Sequence, residues 1–299
     1  MRIASNTVQD NIVRQIQQLG AQNSKLQSQV ASGQRLTQIE DDPAAAGRVL
    51  GQQSELRRVD QYDRNATRAL EISQASFAGL SDVKKISDRA GELATLGRSP
   101  TSPAALSAYA AEVNQLIEQL VQVGNTRLGN DYIFAGTAVD APPFDATRNV
   151  TTGQVTLVAY DGDTSQASIP LSEVASVAPG TSGATNQGVR DLLNQLVGLR
   201  DALATSDSAG IATAQSSIVT GEDALISAVA ENGAVQLRIE INRSQQQARG
   251  DRLISLVSSE TSADLPDTIV RLNQAQTAYQ AALQSAASIM RISLLDYIQ

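Results

Sequence analysis

Hydrophobic residues recur along most of this chain in alternating steps of four and three, and the ends carry clear examples. Toward the C-terminus, Leu265, Ile269, Leu272, Gln276, Tyr279, Leu283, Ala286, Met290, Ser293 and Tyr297 form a series in which only Gln276 and Ser293 are polar. That spacing puts them on one face of a helix, as in a coiled-coil seam. Residues 262–299 would then form a helix on the order of 50 Å long at ~1.5 Å per residue. Ala275, Ala278, Ala281, Ala282 and Ala287 lie between, small enough to let other backbones come close. Ile292, Leu294, Leu295 and Ile298 carry the apolar character to the last residues, where chains are more often polar. Near the N-terminus, Ile12, Ile16, Leu19, Asn23, Leu26 and Val30 repeat the stripe. Two such stripes predict that the terminal helices pair and that their remaining apolar surface is covered by other molecules. The candidate interface residues are Ile12, Ile16, Leu19, Leu26, Val30, Leu265, Ile269, Leu272, Tyr279, Leu283, Met290, Leu294 and Tyr297.

Between the ends the pattern is nested. Asn6, with Gln9 three residues on, is a capping-box start for the first helix, and Gly33 is its stop. Asp42-Pro43 is a second start signal, a carboxylate cap before a proline at the first helical position. From Ala44 to about Gly97 the apolar positions keep a helical period without a proline or a turn cluster. Ser102-Pro103 opens an antiparallel return helix carrying Leu106, Val113, Leu116, Leu120 and Val123. After Gly129 the period changes. Tyr132–Ala135 reads as a strand, Val155–Tyr160 alternates, Asp161-Gly162 is a hairpin turn signal, and Ala167–Leu171 is a further strand. Pro179–Gly188 reads as a loop. Helical spacing returns at Val189–Leu203 and again from about Ile211 to Val257, the latter weakened by Gly233 and Gly250. Ser262, Asp264 and Pro266 mark the start of the terminal helix. The expected fold is mainly α: a rod of long antiparallel helices, terminal coiled-coil helices and a small β-containing insert. Its expected domains are an inner coiled-coil domain (1–43 and 262–299), a helical domain (44–130 and 186–261) and an outer β-containing domain (131–185).

Composition narrows the chemistry. The chain has 299 residues, a net charge of −8, and no cysteine, histidine or tryptophan. An acidic chain with lysine only at 25, 84 and 85 does not suit a nucleic-acid partner. Arg57, Arg58, Arg64 and Arg68 are interleaved with Glu55, Asp60 and Asp63, as on a solvated helix face. Without Cys or His there is no disulfide, no thiolate nucleophile and no imidazole base or metal ligand. Asp41-Asp42 reads as capping in preference to a catalytic pair. Asp161, Asp163 and Ser165 start like a calcium loop, but Gln166 and Ser172 stand where glycine and glutamate are needed, so a turn is expected. Gly47 and Gly51 have the small-xxx-small spacing of close helix packing. No catalytic, cofactor or metal residue is expected. Nothing in Met1–Gly20 resembles the apolar core of a secretory signal, and no window of 18 apolar residues is present to cross a membrane.

Several stretches together resemble the bacterial flagellin family. Val30-Ala31-Ser32-Gly33-Gln34-Arg35-Leu36, followed by Asp41-Asp42-Pro43-Ala44-Ala45, is similar to the family's N-terminal signature. Asn232–Glu240 is similar to the G-A-x-x-x-R-x-E stretch of its C-terminal half. Met1-Arg2-Ile3, Tyr132–Thr137 with Pro142-Pro143-Phe144 behind it, and Ser293–Tyr297 resemble the members that join hook to filament. The resemblance implies a structural subunit without cofactors, exported by the flagellar type III apparatus and assembled as a ring outside the cell. It also implies hook-associated protein 1 below, flagellin above, and an export chaperone on the C-terminal region beforehand. In the family the terminal regions order on assembly, folding as they bind. Two alternatives remain: a filament flagellin, and a surface enzyme or ligand-binding module using the 131–185 insert.

Overall fold

The computed structural model describes residues 2–99 and 101–298, with side-chain surroundings described for 10–99 and 101–288. Six helices carry the chain: α1 (Arg2–Ser32), α2 (Pro43–Arg98), α3 (Pro103–Gly124), α4 (Gly183–Ala204), α5 (Ser208–Thr261) and α6 (Leu265–Ile298). Three antiparallel strand pairs lie between α3 and α4: β1 (Arg127–Leu128) with β2 (Asp131–Tyr132), β3 (Phe144–Arg148) with β4 (Val155–Tyr160), and β5 (Ile169–Pro170) with β6 (Ser176–Val177). The fold is mainly α with a small β insert.

Local chemistry sets most helix starts. The Asp42 carboxylate accepts from the Ala45 N–H at 3.0 Å, directly before Pro43. Ser102 accepts from the Ala105 N–H with Pro103 at the first helical position, and Ser182 accepts from the Thr185 N–H at 3.1 Å. Asp264 accepts from the Asp267 N–H at 3.2 Å. Each oxygen takes one of the amides a helix start leaves unpaired. Asn6 is not a cap, because α1 already begins at Arg2. The predicted loop to Gly188 ends early, since Ser182 starts α4 one residue later. Gly233 and Gly250 do not interrupt α5, which runs through 54 residues.

The chain divides into two compact units, residues 1–58 with 249–299, and residues 59–248; α2 and α5 contribute to both. The second unit holds the main core. Leu80, Val83, Ile86 and Leu93 of α2 pack with Val113, Ile117 and Leu120 of α3, with Leu192, Leu193, Leu196 and Leu199 of α4, and with Ile211, Ile218 and Leu225 of α5. Phe134, Phe144, Val155 and Val158 join this core from the insert. Gly79 permits the entry of Phe134: a Cβ there would lie 2.7 Å from the ring. A smaller cluster of Ala66, Ala69, Leu171, Val177 and Ile239 lies apart.

Three sequence expectations about the insert need correction. Only Tyr132 of Tyr132–Ala135 is in a strand, because Ile133 and Phe134 turn inward to the core. The hairpin turn is at residues 149–154, between β3 and β4, and not at Asp161-Gly162. There the Asn149 carboxamide accepts from Thr151 and Thr152 and closes the turn. The strand expected at Ala167–Leu171 is two residues long. Amide side chains tie the β3–β4 pair down: Asn125 donates to Phe144 O and accepts from Phe144 N–H, and Asn194 does the same to Val158. These bonds satisfy backbone groups that an edge strand would leave open.

Candidate assembly interface

The first unit is built around α1 and α6. On α1, Ile12, Ile16, Leu19, Asn23 and Val30 are half-buried and Leu26 is buried. On α6, Thr268, Ala275 and Ala286 are buried, and Leu272, Tyr279 and Ala282 half-buried. The two faces meet: Gly20 lies against the Tyr279 ring, and a groove between the helices is lined by Leu19, Leu26, Ala275 and Ala278. Alanines at the contact let the helices approach closely.

The inward face of α6 is rotated from the apolar stripe in the sequence. It follows 268, 272, 275, 279, 282 and 286, sharing only Leu272, Tyr279 and Ala286 with that stripe. Leu265 (42 %), Ile269 (45 %) and Leu283 (43 %) are left exposed on one face, and Val270 at 53 % farther round the helix. The side chains of Met290, Leu294 and Tyr297 fall outside the described residues. The helix therefore has one apolar face against α1 and a second on the surface.

The connection from α1 to α2 is tied to the α5–α6 junction by a network that motif reading did not foresee. Gly33 adopts φ +68°, a left-handed conformation open to glycine, and its carbonyl accepts from the Ala263 N–H at 2.9 Å. Arg35 donates from its backbone to Thr261 O at 2.7 Å and from its guanidinium to Glu260 O at 2.8 Å. Arg48 holds the Glu260 carboxylate with two bonds of 2.9 Å, which keeps that carboxyl below its usual range. Lys25 pairs with Asp41 at 2.6 Å. With the Gln38 and Thr37 amides and the Thr37 hydroxyl also donating, it holds the Asp41 carboxyl far below the ordinary carboxylate range. Asp42, capped on Ala45 and near Arg35, is lowered as well. Beside its capping role, the Asp41-Asp42 pair takes Lys25 and Arg35 as basic partners. Gly47 and Gly51 are not packing contacts within the chain, because a Cβ at either meets nothing within 4 Å.

Chemistry elsewhere is sparse. Among the described residues, no group of three or more acidic residues is placed to hold a metal ion. No described helix is long and apolar enough to cross a membrane. Asp163 forms a turn whose carboxylate accepts from Thr137 and from the Ser165 N–H. A pocket of about 350 Å³ lies beside Tyr132, Ile133 and Thr137. Its charged groups pair with each other, Arg68 to Asp131 at 3.0 Å.

Residues 3–138 match the bacterial flagellin N-terminal helical region. The chain is 29% identical over 147 residues to flagellar hook-associated protein 3 of Salmonella typhimurium, covering 48% of this chain and 46% of that protein. It spans about half the length of the sequence relatives it matches. The crystal structure of FlgL from Bacillus cereus matches with TM-score 0.57 and 17% identity, over 70% of this chain and 99% of that one. That of the flagellar junction protein FlgL from Legionella pneumophila matches with TM-score 0.53 and 12% identity, over 72% and 100%. At these identities the likeness is one of fold. The signature residues Gly33, Arg35, Asp41 and Asp42, on which the resemblance rested, converge in the network that joins α1 and α2 to the α5–α6 junction.

Proposed function

We propose that the chain is a structural adaptor subunit of the bacterial flagellum, joining the hook to the filament. The observation that carries this reading is the second apolar face of α6, where Leu265, Ile269 and Leu283, within about 40° of one another at ~100° per residue, stand on the surface of a helix already packed on α1. Three large apolar side chains on one helix face mark a surface that another protein covers. Similarity to hook-associated protein 3 supports the flagellum as the place where this happens. In this reading the subunits form a ring between hook-associated protein 1 and flagellin, after export with a chaperone on the α6 region. The role is structural and needs no catalytic group. Burial of the exposed face of the terminal pair supplies the association energy, and the signature network ties the start of α2 to the α5–α6 junction.

The test is to offer the purified chain to isolated hooks carrying hook-associated protein 1, and to view the ends by electron microscopy. A short collar that stops growing is expected. Long filaments would make the chain a filament flagellin, and bare ends would overturn the flagellar reading. A small ligand of the 131–185 insert that raised the melting temperature in proportion to its concentration would point instead to a binding module.

A further inference from the structure

A second apolar stripe runs along the outer face of α5. Val219, Ile226, Leu237 and Ile241 are each about half exposed. At ~100° per residue their steps of seven, eleven and four bring them within about 60° of one another. The buried residues of the same helix, Leu225, Ala228, Asn232 and Ile239, face the other way. Beside the stripe lies a groove of about 640 Å³ between α4 and α5, lined by small residues such as Ser216, Thr220, Gly221 and Ala224. Its charged lining is acidic: Asp191, which pairs with Arg190 at 2.6 Å, and Glu231. Asp223, Glu231 and Glu240 have no cationic partner among the described residues.

The complementary charge is on α2. Arg57, Arg58 and Arg64 are exposed and without an ion pair among the described residues. In sequence they looked neutralised by their acidic neighbours, but the fold takes two of those away. Glu55 pairs with Arg249, and Asp63 with Arg243 at 3.1 Å, leaving Asp60 as the nearby carboxylate. A chain of net charge −8 thus keeps a locally basic helix stretch.

We propose that the acidic, apolar outer face of α5 in one copy receives the arginine-bearing stretch of α2 from a second copy. Two different patches are used, so the contact is heterologous and propagates from copy to copy, as a ring or a helical array requires. The apolar stripe supplies affinity and the charges set approach and register. This rests on the self-assembly in the proposed function and names a surface for it.

The full chain lacks cysteine, so single cysteines report one contact each. Ala230→Cys beside the stripe is mixed with Gln61→Cys among the arginines, and disulfide formation is followed in low and high salt. Mixed dimers should exceed those of Ala230→Cys with Thr151→Cys, at the β3–β4 tip, by about tenfold in low salt, and fall as salt rises. Equal yields would overturn the proposal. Adding Arg57→Glu, Arg58→Glu and Arg64→Glu to one chain should abolish the excess, and adding Glu231→Arg and Glu240→Arg to the other should restore it. Circular dichroism checks that each variant folds, and loss without recovery would refute the pairing. A chain that collars hooks yet shows no excess keeps its function and loses this contact. A chain that ignores hooks loses the function whatever the disulfides report.

Discussion

Gly79 is the position where two general effects oppose each other and the structure decides the sign. In a helix interior, replacing glycine by alanine ordinarily stabilises by ~0.8–1.0 kcal/mol. At Gly79 the new Cβ would stand 2.7 Å from Phe134 Cζ and 3.3 Å from Ile133 Cδ1. Phe134 is fully buried, so its ring has no free space to swing into. Overpacking of this kind costs about 1–3 kcal/mol, and the net is a loss of about 1 kcal/mol at Gly79. Gly91, on the same helix and in the same unit, has nothing within 4 Å of its Cβ. There alanine should gain the helical contribution alone, so the two variants should differ by about 2 kcal/mol. Urea unfolding measures this directly, as opposite shifts in midpoint at an unchanged slope. If Gly79→Ala stabilised the chain as much as Gly91→Ala, Phe134 would not sit against α2 and the anchoring of the insert would be wrong.

Two further perturbations address the polar contacts. Asp41 is held below its ordinary value of 3.8 by Lys25 and the Thr37 and Gln38 donors. Its contribution is therefore complete above that value and lost as pH falls below it, toward the depressed folded-state value. The protection factor of the Gln38 amide, its exchange relative to the intrinsic rate at the same pH, should fall as pH drops below about 4, and Asp41→Asn should remove that dependence; a protection factor indifferent to pH in the wild type would contradict the clamp. In the second unit, Asn232 is buried between α2 and α5, accepting from Ser73 Oγ at 3.1 Å and from Gln236 at 3.0 Å. Asn232→Ala leaves the Ser73 hydroxyl without its acceptor and Gln236 with only a 3.4 Å bond to Ser73 O, and should cost about 1–3 kcal/mol in thermal or urea unfolding; a neutral effect would mean the network forms otherwise.

Helices were legible because local rules agree with the tertiary ones. A polar cap before proline at Asp42 and Ser102 and a 4-3 apolar period give the same boundaries as the packing does. The insert was less legible because its short pieces take their shape from distant residues. Ile133 and Phe134 have a strand's composition, yet burial in the helical core turns the chain there. Val155–Tyr160 was readable because one face of it is buried. The rotation of α6 could not be read from hydrophobicity alone. Alanine counts as weakly apolar, but on a helix pair it is what permits close approach, so Ala275 and Ala286 face inward and Leu283 outward. The Lys25–Asp41 and Arg48–Glu260 pairs join residues 16 or 212 positions apart, and only folding brings the second pair together.

The exposed face of α6 is the central claim, and Leu283→Asp tests it most directly. At 43 % exposure the substitution leaves α1 and α6 room to pack, so the chain should keep its helical content and unfolding midpoint. Buried under a neighbouring subunit, the same carboxylate would be desolvated without a partner, which is costly enough to prevent assembly. The measurement is the fraction of purified Leu283→Asp that sediments with hook ends, beside the wild type. Near-complete loss of binding by a folded variant is the expected result. Incorporation at the wild-type level would show that this face stays in water in the assembled flagellum, and the account would fail.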